Sequence, residues 1–345
     1  MIALPLALLW FGGLALALLD GTRRPAGWLA AAILAAATIA TLVLGIDVYR
    51  QGLPAQMTVG GWPEGIGITL RVDMLGITFA LLSQAVLLSA LVYEIVSGVG
   101  ARIFPALVLF MGLGLTGLVF TGDAFNFYVF FEISMISAYV LASYGETPRQ
   151  FRAAFIFVVV NLLGSVLFLI GIAAVYHTTG YLDMVRIREQ MPLVEENPAV
   201  LSATIIFVAF CTKLGLFPFH FWLPAVYTGT HPSVAAILSG ALANIGSYGL
   251  IRFGADIFPR ELREASEVLL WLGAISIIYG GLQAVARHGT NEVLAYSAIG
   301  QVGYILIALA LGGALGYAAA ILYTVLNSAN KTLLFLSGSL RGWLV

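Results

Sequence analysis

Apolar runs of membrane-spanning length follow one another along almost the whole chain, and this repetition constrains the fold more than any other feature. A bilayer core needs about 20 apolar residues in a helix to cross it. Divided at Pro, Gly and charge, the runs give about eleven spans: 2–19, 27–46, 73–97, 103–121, 122–144, 151–176, a seventh from near 199, then 233–254, 266–286, 293–311 and 315–340. Only 10% of the 345 residues are charged, against about 25% in soluble domains, and the expected class is an all-α polytopic protein embedded in the lipid bilayer. The first run lacks a basic leader and a small-residue cleavage site, so it reads as a span rather than a signal peptide.

The connections carry less information. Residues 47–71 are rich in Gly and Pro, and the alternation of Ile66, Ile68 and Leu70 suggests a short external hairpin. The segment 180–198 is the longest charged run and reads as a short amphipathic surface helix. Arginines divide evenly between the two sets of loops, with Arg50, Arg71, Arg186, Arg188, Arg252, Arg260 and Arg263 outside and Arg341 among those inside. The compact pairs Arg23/Arg24 and Arg149/Arg152 favour an outward N-terminus. The lone Cys211 excludes a disulfide framework, and the four histidines show no metal-ligand spacing, so no metal is expected. A net charge of −1 gives no reason to expect a nucleic-acid partner. No Walker loop, dinucleotide fingerprint or nucleophile elbow appears, and no cofactor is expected.

Ionisable residues at membrane depth are the informative exceptions. A central carboxylate or ammonium costs about 2.5–3.5 kcal/mol on insertion scales, so such residues are functional hypotheses by default. Glu132 sits near the middle of Gly122–Tyr144, with Tyr128 four residues before it and Tyr139 seven after, on one helical face. A carboxylate satisfied by a neighbouring helix is the plainer alternative. The chain's only two lysines, Lys213 and Lys331, both lie in apolar spans. Lys213 stands five residues before Pro218, and Pro218 and Pro224 are expected to break the seventh span. Such a break survives in a membrane only where protein or a water-filled cavity surrounds it.

Burial disfavours an ammonium and a nearby carboxylate favours it, so a lysine with a movable carboxylate partner is a proton switch. Snorkelling to the interface is the other reading of Lys213. Thr324, Asn327, Ser328 and Lys331 fall at i, i+3, i+4 and i+7, a polar stripe that forms either a hydrated path or interhelical hydrogen bonds. His220, His231 and Asn244 are candidates for a relay or water path, and Glu94, at the end of its span, is expected to be interfacial.

The segments TGDAFNFYVFFE, TPRQFRAA, KLGLFPFHFWLP, NEVLAYSAIGQVGYI and NKTLLFL carry a resemblance over residues 70–340. The chain resembles the antiporter-like membrane subunits of Mrp-type multisubunit Na+/H+ antiporters (the D-type subunit above all), respiratory complex I and membrane-bound hydrogenases. The resemblance implies two inverted five-helix repeats, each with a broken helix. It also implies a glutamate–lysine protonation switch, which falls on Glu132 and Lys213, with the family's later lysine on Lys331. Where the family often has a second central lysine this chain has Asn244, and where it often has histidine this chain has Asn327.

The expected organisation is three N-terminal helices over 1–100, a first repeat over 101–254, and a partial second repeat over 255–345 that stops before a twelfth span. The leading expectation is a proton-translocating subunit of a cation (Na+)/proton antiporter, multi-pass in the inner (plasma) membrane and partnered by other membrane subunits. The alternatives are a proton-pumping subunit of a redox-driven complex, which would make it part of a translocase enzyme, and a non-conducting scaffold.

Overall fold

The computed structural model describes residues 1–62 and 67–340, and the expected class holds: most of these residues are helical. In chain order the elements are α1 (Ala3–Leu18), α2 (Arg24–Gln51), β1 (Ala55–Thr58), β2 (Thr69–Val72), α3 (Met74–Ser97), α4 (Phe104–Phe120), α5 (Ala124–Ala142), α6 (Pro148–Thr179) and α7 (Met184–Gln190). They continue with α8 (Glu196–Leu214), α9 (Trp222–Gly229), α10 (Pro232–Ile257), α11 (Pro259–Glu264), α12 (Ser266–Val285), α13 (Thr290–Leu311) and α14 (Gly313–Leu340). Taking α8 and α9 as one span, eight of the described helices are long and apolar enough to cross a membrane. That is fewer than the eleven expected, in part because α1 and α4 are only 16 and 17 residues long.

Local chemistry sets the boundaries. Asp73 caps α3 by accepting from the Gly76 amide at 2.8 Å, and Asp123 caps α5 from the Asn126 amide at 2.7 Å. Thr147 and Gln150 form a reciprocal capping box at the start of α6, with Pro148 in its first turn. The expected hairpin is present as an antiparallel β1–β2 pair, although α2 runs on to Gln51 before it. Ile66, the first member of the expected alternation, lies outside the described residues, as does Arg341. The Thr69 carbonyl accepts from the Gly122 amide at 2.8 Å, and the Gly122 carbonyl accepts from the Met184 amide at 2.8 Å. Hairpin, α5 and α7 are thus pinned together at one face. The amphipathic segment is shorter than expected, because Glu196 already belongs to α8.

The seventh span is discontinuous. It stops at Gly215, whose φ of +67° favours glycine, and resumes after a single 3-10 turn at Phe219–Phe221. Pro224 does not contribute to the break. It lies in the first turn of α9, where a missing amide hydrogen leaves no intrahelical bond unmade. The freed backbone groups find protein partners, as lipid requires: the Trp222 indole donates to the Thr212 carbonyl at 3.1 Å, and the Phe217 amide donates to Ser276 Oγ of α12 at 3.0 Å.

α10 is the central post. Its most apolar window is 94% buried, against 22% for α12, and it packs against α3, α8 and α14. Two π-helical stretches, Leu238–Leu242 and Leu250–Ile257, interrupt it on either side of Asn244. Such bulges redirect side chains and recur at functional sites.

Candidate functional site

Glu132 projects from α5 and Lys213 from the last turn of α8, directly before the break. Lys213 is 6% exposed, and its Nζ lies 4.1 Å from the centre of the Phe131 ring, the residue beside Glu132. Among the described residues Glu132 and Lys213 form no ion pair within 4.0 Å. Glu132 Oε1, the Tyr139 hydroxyl and Lys213 Nζ are all buried without a hydrogen-bond partner. Each such group forfeits about 1–3 kcal/mol of desolvation. Tyr128, Glu132 and Tyr139 all project from α5 at spacings that put them on one face. A cavity of about 10 Å³, the size of one water, touches Lys213, Asn161, Trp222 and Ala243. Gly164 of α6 borders the lysine stem: a Cβ there would lie 3.7 Å from Lys213 Cε.

The second cluster surrounds α14. Asn244 on α10 donates to the Gly240 carbonyl at 2.7 Å and accepts from Ser328 Oγ at 3.0 Å. Ser328 is also bonded to the Thr324 carbonyl at 2.8 Å. Lys331, 3% exposed, donates to the Leu294 carbonyl and to Ser297 Oγ on α13, both at 3.1 Å. The polar stripe therefore divides, with Ser328 turned to α10, Lys331 turned to α13, Thr324 bonded to the Ala320 carbonyl of its own helix, and Asn327 half-buried. Another cavity of about 10 Å³ touches Asn244, Ser83 and Tyr248.

His220 lies past the break from Lys213, and its ring packs 4.4 Å from Tyr279 and 5.5 Å from Phe217. Two sequence expectations are corrected here. Glu94, expected to be interfacial, is not solvated at the end of α3 but turned inward, 2% exposed, bonded to Tyr144 and 3.5 Å from His231. Arg252 is not a loop cation. It lies in α10, 14% exposed, with NH2 2.7 Å from Asp73 and NH1 2.8 Å from Asp256. The i, i+4 spacing of Arg252 and Asp256 was a usable local signal. No such signal exists for Asp73 and Arg252, 179 positions apart. His177 and His288 are exposed.

Residues 121–341 match the family described as NADH:quinone oxidoreductase/Mrp antiporter, TM. The chain is 32% identical over 302 residues to the D-type subunit of the Na(+)/H(+) antiporter of Alkalihalophilus pseudofirmus, a match covering 86% of this chain and 61% of that protein. It therefore spans about three-fifths of that relative's length. Its fold superposes on a chain of the Mrp complex from Dietzia sp. with a TM-score of 0.90 and 27% identity, covering 98% of this chain and 64% of the other. A chain of the membrane-bound sulfane sulfur reductase, an archaeal respiratory membrane complex, gives 0.89 and 27%, covering 98% and 70%. The match extends over more than half of the chain and includes Glu132, Lys213 and Lys331, and the chain belongs to the NADH:quinone oxidoreductase/Mrp antiporter transmembrane family.

Proposed function

We propose that this chain is a proton-translocating membrane subunit of a multisubunit cation (Na+)/proton antiporter of the plasma membrane, with Glu132 and Lys213 as its protonation switch. One observation carries the reading: Glu132 Oε1, Tyr139 OH and Lys213 Nζ are all buried without a partner beside a helix break. A purely structural trio would be matched by donors and acceptors, since buried polar groups nearly always are.

The chemistry follows from charge. While Glu132 is ionised, its field favours the ammonium form of Lys213. When Glu132 takes a proton, burial in an apolar shell that includes Phe131 and Trp222 favours the neutral amine, and the lysine proton is released. Each tenfold change in proton affinity is worth about 1.4 kcal/mol, comparable to one charge crossing part of a potential worth about 2.3 kcal/mol per 100 mV. The cavity at Lys213 borders Ala243, next to Asn244, and the Asn244–Ser328 bond leads to α14, where Lys331 receives the proton. Within this reading residues 101–254 form the switch module, and 255–345 hold the receiving lysine. The subunit works beside other membrane subunits that complete the assembly.

The test uses proteoliposomes containing the whole complex. Glu132→Ala and Lys213→Ala are each expected to abolish proton-coupled sodium efflux while the complex still assembles. Transport at the wild-type rate in either variant refutes the assignment. The likeness to a chain of an archaeal respiratory complex supports a second reading, in which the same module is driven by a redox reaction. Co-purification with iron–sulfur and flavin subunits selects that one.

A further inference from the structure

At the membrane face opposite the hairpin, the ends of α3 and α5 meet the head of α10. Glu94 of α3 is 2% exposed and accepts a hydrogen bond from the Tyr144 hydroxyl at 2.5 Å. The Tyr144 oxygen in turn accepts from the Gly100 amide at 2.6 Å, which fixes the ring. The other carboxylate oxygen, Glu94 Oε2, is buried and has no hydrogen-bond partner. It faces His231 Nδ1 at 3.5 Å. His231 is 36% exposed, shares a 2.8 Å hydrogen bond with Ser233 Oγ, and lies edge-on to Tyr144 at 5.4 Å. One acid is therefore sealed inside the protein, and the imidazole beside it reaches the outside.

We propose that Glu94 and His231, positioned by Tyr144 and Ser233, form a proton-collecting site that takes hydrogen ions from solvent at this face. The proposal rests on the reading of the chain as a proton-moving subunit. The partly exposed ring can exchange protons with water while Nδ1 faces the enclosed Glu94 Oε2. The collecting step conserves charge and atoms: the imidazolium N–H at Nδ1 breaks, an O–H forms at Glu94 Oε2, and a neutral ring and a neutral carboxyl remain. A small rotation of the ring decides whether Nδ1 meets Ser233 or Glu94.

The titratable groups facing each other here are Glu94 on α3, Tyr144 after α5 and His231 at the head of α10. α14, which packs on α10 and α3, contributes Lys331, but that lysine is bonded to α13. The site heads the seam where α3, α10 and α14 come closest: a Cβ on Gly240 would lie 3.1 Å from Val86, 2.2 Å from Thr332 Oγ1 and 3.2 Å from the Ser328 carbonyl. That seam leads towards Ser328 and Asn244, through which the proposed switch reaches α14. The collecting pair shares no residue with Glu132 and Lys213.

The experiment is infrared difference spectroscopy of the purified complex between about pH 5 and 8, with transport measured in parallel. Wild type is expected to show a protonating carboxyl band that disappears in Glu94→Gln and whose midpoint moves by about one pH unit, a tenfold change in affinity, in His231→Gln. Initial transport in both variants is expected to fall about tenfold at the alkaline end and to recover at the acid end, where protons are abundant. A carboxyl band that persists unchanged in Glu94→Gln, or a midpoint unmoved in His231→Gln, overturns the proposal. If Glu94→Gln does not assemble, the half-exposed His231 position decides alone. Should Glu132→Ala transport normally while the Glu94 band behaves as expected, the switch reading fails and the collecting site stands.

Discussion

Arg252 shows how a single side chain supports one end of the bundle. Its guanidinium bonds Asp73, Asp256 and the Tyr248 hydroxyl at once, and the Tyr248 hydroxyl in turn donates to the Val119 carbonyl at 3.2 Å. Only a planar fork with several donors makes that set of bonds. Breaking a buried pair from one side costs about 3–5 kcal/mol, but Asp73 and Asp256 keep 29% and 43% of their side-chain surface exposed, so water screens part of the loss. Arg252→Ala is expected to lower stability by about 2 kcal/mol, and Arg252→Lys to recover less than half of that. Thermal unfolding of the complex in detergent measures both, and an unshifted midpoint in Arg252→Ala contradicts the account. Glu132 and Lys213 were legible in the sequence because an ionisable residue inside an apolar run stands out locally. Glu94 was misjudged because its position near a helix end says nothing about which way the helix turns it.

Among elements, the broken span and the α12–α13 hairpin depend on each other. Ser276 of α12 satisfies the Phe217 amide at the break, and α13 supplies both acceptors for Lys331. α12 and α13 come close enough to do this because glycines line their seam: a Cβ on Gly280 would lie 2.5 Å from the Gly300 amide nitrogen and 2.8 Å from the Tyr296 carbonyl. Membrane helices associate largely through such close packing. Gly280→Val is therefore expected to force the two helices apart, with an overpacking penalty of about 1–3 kcal/mol, and to slow transport although no charged residue is altered. A thermal midpoint and a transport rate both equal to wild type would contradict this role. The break itself was readable from Pro218, but Pro224, read as a second breaker, lies where a helix tolerates proline.

Over the whole molecule, burial differs more sharply than hydropathy. α10 and α12 have similar mean hydropathy, 1.6 and 1.8, yet the first is almost fully enclosed and the second is mostly on the outside. Enclosure extends to the resumed half of the broken span, where Trp222 is 3% exposed and its indole is held by the Thr212 carbonyl. In a variant keeping Trp222 as its only tryptophan, brominated lipids are expected to leave the fluorescence nearly unquenched. Strong quenching would place that ring against lipid and contradict the packing. The described ends of the molecule also differ in kind, with the Arg252 ion-pair cluster near the hairpin and the Glu94–His231 pair at the opposite face.

The sequence alone determined that the chain crosses a membrane many times, that its seventh span is interrupted, and that Glu132, Lys213 and Lys331 stand inside apolar runs. Hydropathy, proline and charge act within a few residues, so a linear reading captures them. Tertiary structure decided which faces meet: Asp73 with Arg252 across 179 positions, Ser328 with Asn244 across 84, Lys331 with Leu294 across 37, and Glu94 with His231. Lipid is as apolar as the helices, so burial of apolar surface does not choose among these pairings. Shape complementarity and hydrogen bonding choose them, and both exist only once the helices are side by side.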